Sequence, residues 1–133
     1  MNESLQRKQL LLCDDEVHIL RAAEFKFKRA GYEVRCAGDG QEGWEQIEQR
    51  LPDLVVTDLQ MPRLDGFELV ERIRQHEHTR HLPVIMLTAK GYELQHGDAD
   101  QLGIVRILAK PFSPRELLQL VEETLGTQNS ACA

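Results

Sequence analysis

Residues 10–16 read LLLCDDE: Leu10 to Cys13 suit a buried strand, and they run directly into Asp14 and Asp15, two charges of the same sign, with Glu16 behind them. Ending a buried strand on paired acids is costly unless something uses them. The surrounding sequence shows what that is.

Short β-rich apolar runs occur at 9–13, 33–37, 54–57, 84–87 and 105–108, separated by longer stretches of helical period. Such alternation is the mark of a parallel sheet covered by helices, an α/β architecture with five strands and five helices. Four runs are nearly all apolar, as strands buried on both faces should be; the second, EVRCA, is mixed and suits a sheet edge. The first helix is expected over 16–30, with Leu20, Ala23, Phe27 and Ala30 on one stripe and Gly31 as a left-handed stop. Trp44 and Ile47 mark the second helix behind an Asp39 cap, and Phe67, Val70 and Ile73 mark the third. A fourth, short or irregular, is expected in 93–102, where Gly97 and two Asp weaken it. The fifth opens on Ser113, Pro114, Arg115 and Glu116, a capping box with proline in its first turn, and should close at Gly126. Residues 1–6 and 127–133 read as frayed ends.

With 133 residues and 41% hydrophobic content, the chain suits a single domain over 1–133 with its core at about 8–126. A net charge of −6, with acids and bases interspersed, argues against direct nucleic-acid binding. No apolar run approaches the ~20 residues of a membrane span, and MNESLQRKQ lacks a signal-peptide core, so a cytoplasmic location is expected. Cys13, Cys36 and Cys132 match no zinc or redox spacing and read as two core thiols and a tail thiol. His76, His78 and His81 fall in an expected loop away from the strand ends, and Phe25 and Trp44 read as helix packing.

Ligands of open parallel sheets bind beyond the carboxyl ends of the strands. Here the first strand ends in Asp14 and Asp15, the third in Asp58, the fourth in Thr88 and the fifth in Lys110. If the second strand lies outermost, all of these share one crevice. Each pair of carboxylates ~4 Å apart then costs about 4 kcal/mol at an effective dielectric of 20. Lys110 offers one compensating charge, and a hard divalent cation such as Mg²⁺ offers two more in an all-oxygen site. A carboxylate nucleophile with a cation, a hydroxyl and a lysine is the equipment of phosphoryl transfer to aspartate, with Asp58 as the nucleophile.

In order and spacing, DDE at 14–16, DLQMPRLDG at 58–66, LTA at 87–89 and AKPFSPREL at 109–117 resemble the receiver domain of two-component response regulators, over roughly residues 8–126. The resemblance implies a flavodoxin-like doubly wound sheet of order 2-1-3-4-5. It implies that Asp58 accepts a phosphoryl group from a phosphohistidine of a histidine kinase or histidine phosphotransfer protein. Self-catalysed phosphotransfer and autodephosphorylation then switch the binding of an unnamed downstream protein. Mg²⁺ would be bound directly by Asp15, Asp58 and the main-chain carbonyl of Gln60, with Asp14 acting through water. Thr88, the Ala89 amide and Lys110 would hold phosphoryl oxygens, Pro62 and Gly66 would shape the loop after the nucleophile, and the Lys110–Pro111 peptide would be cis. The start Met and ragged tail suit a stand-alone receiver of the chemotaxis-regulator kind.

Two departures bear on the switch. Receivers usually carry Tyr or Phe three residues before the lysine, where this chain has Ile107, and the segment after Gly103 reads Ile104, Val105, Arg106 instead of small and acidic residues. Ile107, in an apolar strand, is expected to be largely buried, so that Thr88 and the main chain of 88–92 would transmit the signal to 93–102. Two alternatives stand beside this reading. A phosphatase of the haloacid dehalogenase type would use Asp14 as nucleophile, but Glu16 stands where its second Asp belongs. A flavodoxin-like binding module would show a Ser/Thr/Gly-rich loop after the first strand, where this chain shows acids.

Overall fold

The computed structural model describes residues 7–89 and 102–132. Its elements are β1 (Gln9–Cys13), α1 (Val17–Arg29), β2 (Glu33–Ala37), α2 (Gly40–Gln49), β3 (Leu54–Asp58), α3 (Gly66–Gln75), β4 (Val84–Thr88), β5 (Arg106–Ala109) and α4 (Pro114–Cys132). The strands form one parallel sheet of order β2-β1-β3-β4-β5. Four helices occur among the described residues; the additional one expected in 93–102 falls almost wholly on residues outside them.

The apolar runs are explained by what covers each face. Alternate residues Leu11, Cys13, Val55, Val84 and Met86 pack with Trp44, Ile47, Leu69, Val70 and Ile73 from α2 and α3. Their neighbours Leu10, Leu12, Leu54, Val56, Ile85 and Leu87 pack on the opposite face with Ala23 and Phe27 of α1 and Leu117, Val121 and Leu125 of α4. A strand buried on both sides has no polar face, so β1, β3 and β4 show no alternation.

Local chemistry sets the helix ends. Asp39 accepts the Glu42 N–H at 2.8 Å to start α2, and α3 begins with a full capping box in which Asp65 and Glu68 exchange bonds. The box expected at Ser113 and Glu116 is present, with bonds of 2.9 and 3.1 Å. Gly31 closes α1 at φ 101°, a left-handed conformation in which a side chain would be strained.

Three expectations are corrected. The 105–108 run is not a buried strand: β5 is the outer strand beside β4, and Val105, Arg106 and Ile107 are exposed, Ile107 to 45%. An edge strand has a neighbour on one side only, so apolar composition there does not ensure cover. The last helix does not stop at Gly126 but continues to Cys132, so 127–132 are helical rather than frayed. Glycine costs a helix only about 1 kcal/mol, and Val121, Thr124 and Leu125, all buried, hold the preceding turns. Finally, Phe25 is exposed on α1 instead of packing between helices, and Ala30, the C-cap, is exposed as well.

Candidate functional site

The parallel register carries the strand ends to one place. Cys13 lies opposite Thr57, Asp58 opposite Leu87, and Thr88 opposite Ala109, so Asp14, Asp58, Thr88 and Lys110 emerge along a single edge of the sheet. β3 and β4 each run one residue further than their apolar composition suggests and take in Asp58 and Thr88 themselves. The loop after Asp58 is pressed against it. Gly66 N–H donates to the Leu59 carbonyl at 2.8 Å, and a Cβ on Gly66 would lie 2.4 Å from the Asp58 carbonyl oxygen. In the same loop Leu64 N–H donates to the Pro62 carbonyl at 2.7 Å and Arg63 takes φ 69°. The Lys110–Pro111 peptide is cis, as the resemblance implies.

At the bottom of the crevice Asp14 and Asp58 are 1% and 6% exposed, and Thr88 is buried as well. Lys110 places its ammonium 3.0 Å from Asp14 Oδ2 and 3.3 Å from Asp58 Oδ2. Its shortest contact is a third one, 2.6 Å to Glu16 Oε1. Asp14 Oδ1 accepts the Glu16 main-chain N–H at 2.9 Å. Among the described residues, Oδ2 of Asp14 is buried with no aligned hydrogen-bond donor, and the Lys110 ammonium lies beside it.

Burial raises the Asp58 carboxyl to about 6, and the neighbouring charge of Asp14 adds to that, while Lys110 opposes it. Asp14 is also raised, by burial first, against the Glu16 hydrogen bond and Lys110. For Lys110, burial acts to lower the ammonium, but the hydrogen bond to Glu16, the close Asp14 carboxylate and the Asp58 charge outweigh it and hold the group above the ordinary lysine range. Both sides shift upward because one cation serves several acids and cannot repay the desolvation of each.

Asp15, Gln60 and Ala89 are exposed at the ends of β1, β3 and β4. Asp15 is near enough that its charge raises Asp58 further. Carboxylate oxygens of Asp14, Glu16 and Asp58 lie within 4.8 Å of one another, a spacing that one small cation could span. Oxygen donors, net negative charge and an orphaned buried oxygen on Asp14 fit the hard ion Mg²⁺. Sequence reading missed Glu16 as the partner of Lys110. The residue was visible in DDE, but its partner lies 94 positions away.

The histidines do not gather into a site. His76 stacks on Trp44 at 4.7 Å and its Nδ1 meets the Arg72 carbonyl at 2.9 Å; among the described residues no cation-sized group includes His76, His78 or His81. Cys13 is buried and Cys36 partly so, and burial pushes both thiols up, Cys36 to about 11, which keeps them inert. No described helix is long and apolar enough to cross a membrane.

Comparison with known proteins gives a concordant result. The family model of the response regulator receiver domain matches residues 10–122. The alkaline phosphatase synthesis transcriptional regulatory protein PhoP of Bacillus subtilis is 38% identical over 118 residues, covering 89% of this chain and 48% of that protein. Response regulator Rre1 of Synechocystis is 32% identical over 123 residues, covering 92% and 53%. The chain thus spans about half the length of the curated relatives it matches. Among solved structures, chemotaxis response regulator CheY4 of Vibrio cholerae superposes with a TM-score of 0.81 at 29% identity, covering 88% of this chain and 98% of that one. The receiver domain of NtrX from Brucella abortus gives 0.79 at 31% identity, covering 89% and 98%.

Proposed function

Since the chain belongs to the response regulator receiver family of two-component signalling, we propose that it takes a phosphoryl group onto Asp58 and so switches the binding of a partner protein. The observation that carries this reading is the buried Asp58 carboxylate at the end of β3, with the Lys110 ammonium 3.3 Å away. Neither a phosphatase using Asp14 nor a flavodoxin-like module is favoured. Asp14 has one oxygen engaged by the Glu16 N–H and is almost fully enclosed.

The donor is a phosphohistidine of a histidine kinase or histidine phosphotransfer protein, met in the cytoplasm. A carboxylate oxygen of Asp58 attacks phosphorus, and the new O–P bond forms as the P–N bond breaks. The bonding pair leaves with the imidazole nitrogen. Little covalent help is needed in such a transfer, so the residues act by position and charge. Lys110 pairs with one phosphoryl oxygen, and the Thr88 hydroxyl and Ala89 amide take others; adjacency of β3 and β4 supports these roles. Mg²⁺, when bound, neutralises charge between carboxylates and phosphoryl oxygens. It would be held by Asp15, Asp58 and the Gln60 carbonyl, with Asp14 through water.

Asp58 drawing Thr88 towards its new phosphoryl group is the start of the switch. Ile107, on the exposed edge strand, is the second switch position. Being exposed, it can contribute to the surface a partner reads. The segment at 93–102 that was expected to receive the signal lies outside the described residues, apart from Leu102.

Incubation with Mg²⁺ and radiolabelled acetyl phosphate tests the reading. One base-labile acyl phosphate should form and disappear in Asp58→Asn. Labelling that survives Asp58→Asn but is lost in Asp14→Asn would instead support the phosphatase.

A further inference from the structure

Of the three acids around Lys110, the one that holds it by the shortest contact is Glu16, which has no part in the phosphoryl chemistry itself. Taking Asp58 as the phosphoryl acceptor, we propose that Glu16 is a positioning residue for Lys110. It engages the ammonium from the rim side of the crevice in the unphosphorylated state and yields it when a phosphoryl oxygen arrives.

Both ends of this bridge are anchored. The Glu16 main-chain N–H donates to Asp14 Oδ1 at 2.9 Å, and its carbonyl accepts the N–H groups of Ile19 and Leu20 at 3.1 and 3.2 Å. Glu16 is the N-cap residue of α1, but its side chain caps nothing and is free to reach across the crevice. Opposite it, the Lys110 main-chain N–H donates to the Thr88 carbonyl at 2.7 Å. The start of α1 and the end of β5 are therefore tied over the mouth of the site by one charged hydrogen bond, of the stronger class.

An ammonium has three N–H donors, and here three carboxylates surround it. A phosphoryl group on Asp58 replaces that carboxylate with more charge and reaches beyond it, so an ammonium that follows it is drawn from Asp14 and Glu16, and one of those two has to give way. The cost of release decides which. Asp14 is enclosed, and stripping the cation from it leaves a buried charge unpaired. The Glu16 side chain is 58% exposed against 14% for Lys110, so water replaces the lysine there at little cost. Glu16 and the phosphoryl oxygen thus compete for one donor, and Glu16 delays its hand-over to the phosphoryl group.

The test measures phosphoryl uptake from acetyl phosphate with Mg²⁺ in the wild type and in Glu16→Asp, Glu16→Gln and Glu16→Ala. Aspartate keeps the charge but is one methylene too short; glutamine keeps the reach and an acceptor oxygen without the charge. Glu16→Asp and Glu16→Ala should both take up phosphoryl roughly two- to fivefold faster, the size expected when a partly exposed ion pair stops competing. Glu16→Gln should fall between them and the wild type. If Glu16→Asp behaves as wild type while Glu16→Gln and Glu16→Ala are equally fast, the rim charge merely repels the anionic donor and the proposal is overturned. Equal rates in all four proteins overturn it too. A second readout does not depend on phosphorylation: the Lys110 ammonium NMR signal of the metal-free protein should be sharp in the wild type and broadened by solvent exchange in Glu16→Asp and Glu16→Ala. A signal equally sharp in all proteins overturns the proposal even if the wild type takes up no phosphoryl group, an outcome that by itself removes only the reading of Asp58.

Discussion

The Lys110 ammonium stands 3.3 Å from Asp58 Oδ2, yet the Asp58 carboxyl is raised to about 6 instead of being lowered by its cationic neighbour. Burial and the charge of Asp14 prevail because Lys110 is shared with Asp14 and Glu16. The metal-free site is therefore frustrated, with more negative charge than its one lysine can balance, and the consequences are measurable.

In the absence of divalent cations, stability should fall as pH rises through the range in which Asp58 ionises. The folded carboxyl, at about 6, lies above its ordinary value of 3.8, so the folded state holds the proton more tightly. The contribution is fully present below about pH 4 and is lost as pH rises through about 6, an effect on the order of 2 to 3 kcal/mol. Urea unfolding in chelator should show Asp58→Asn more stable than wild type at pH 7, with the gap closing towards pH 4. Parallel curves for the two proteins would show that Asp58 is not the group responsible.

Mg²⁺ should raise the melting temperature, following mass action, by about 2.7 kcal/mol of stability at one hundred times its dissociation constant. Asp15 is exposed, so Asp15→Asn should leave the metal-free melting temperature nearly unchanged, contrary to what repulsion among three equally enclosed acids suggests. The same variant should lose the Mg²⁺ response. A response of wild-type size in Asp15→Asn would place the cation on other ligands.

Gly66→Ala should destabilise the protein by about 1 to 3 kcal/mol, the usual cost of forcing atoms into a packed site. The added methyl would meet the Asp58 carbonyl oxygen at 2.4 Å, and both partners in that clash are main chain or fixed to it. Slower phosphoryl uptake should accompany the lost stability, since the strain falls on Asp58, the proposed acceptor. Unfolding and uptake curves like those of the wild type would mean that the loop moves aside freely.

Ile107→Ala should cost less than about 1 kcal/mol, in place of the ~2 to 5 kcal/mol of a buried isoleucine, because the side chain is 45% exposed. Phosphoryl uptake should be intact, and any defect should appear in partner binding. Chemical denaturation decides the first point: a loss above 2 kcal/mol would return Ile107 to the core.

Phosphorylation should alter hydrogen-exchange protection at the end of β4, and Thr88→Val should abolish that change while leaving the label on Asp58. Changes that persist in Thr88→Val would assign the switch to another route.

How much of this was legible in the chain depends on the range of the interaction concerned. The sequence by itself determined the parallel α/β plan, because apolar runs, the Asp39 and Ser113 caps and the Gly31 stop are signals spanning only a few neighbouring residues. It also determined that Asp14, Asp58, Thr88 and Lys110 end strands and so meet at one edge, since a parallel sheet aligns all its carboxyl ends. Tertiary structure alone decided what surrounds those residues. Glu16 and Lys110 are 94 positions apart, and no local pattern reveals that Lys110 donates to Glu16. The cover on Ile107 depends on its edge position beside β4, and the run of α4 through Gly126 depends on the core beneath Val121 and Leu125. The upward shift of the Asp58 carboxyl follows from burial and from the number of acids sharing one cation, quantities that exist only once the strands are side by side.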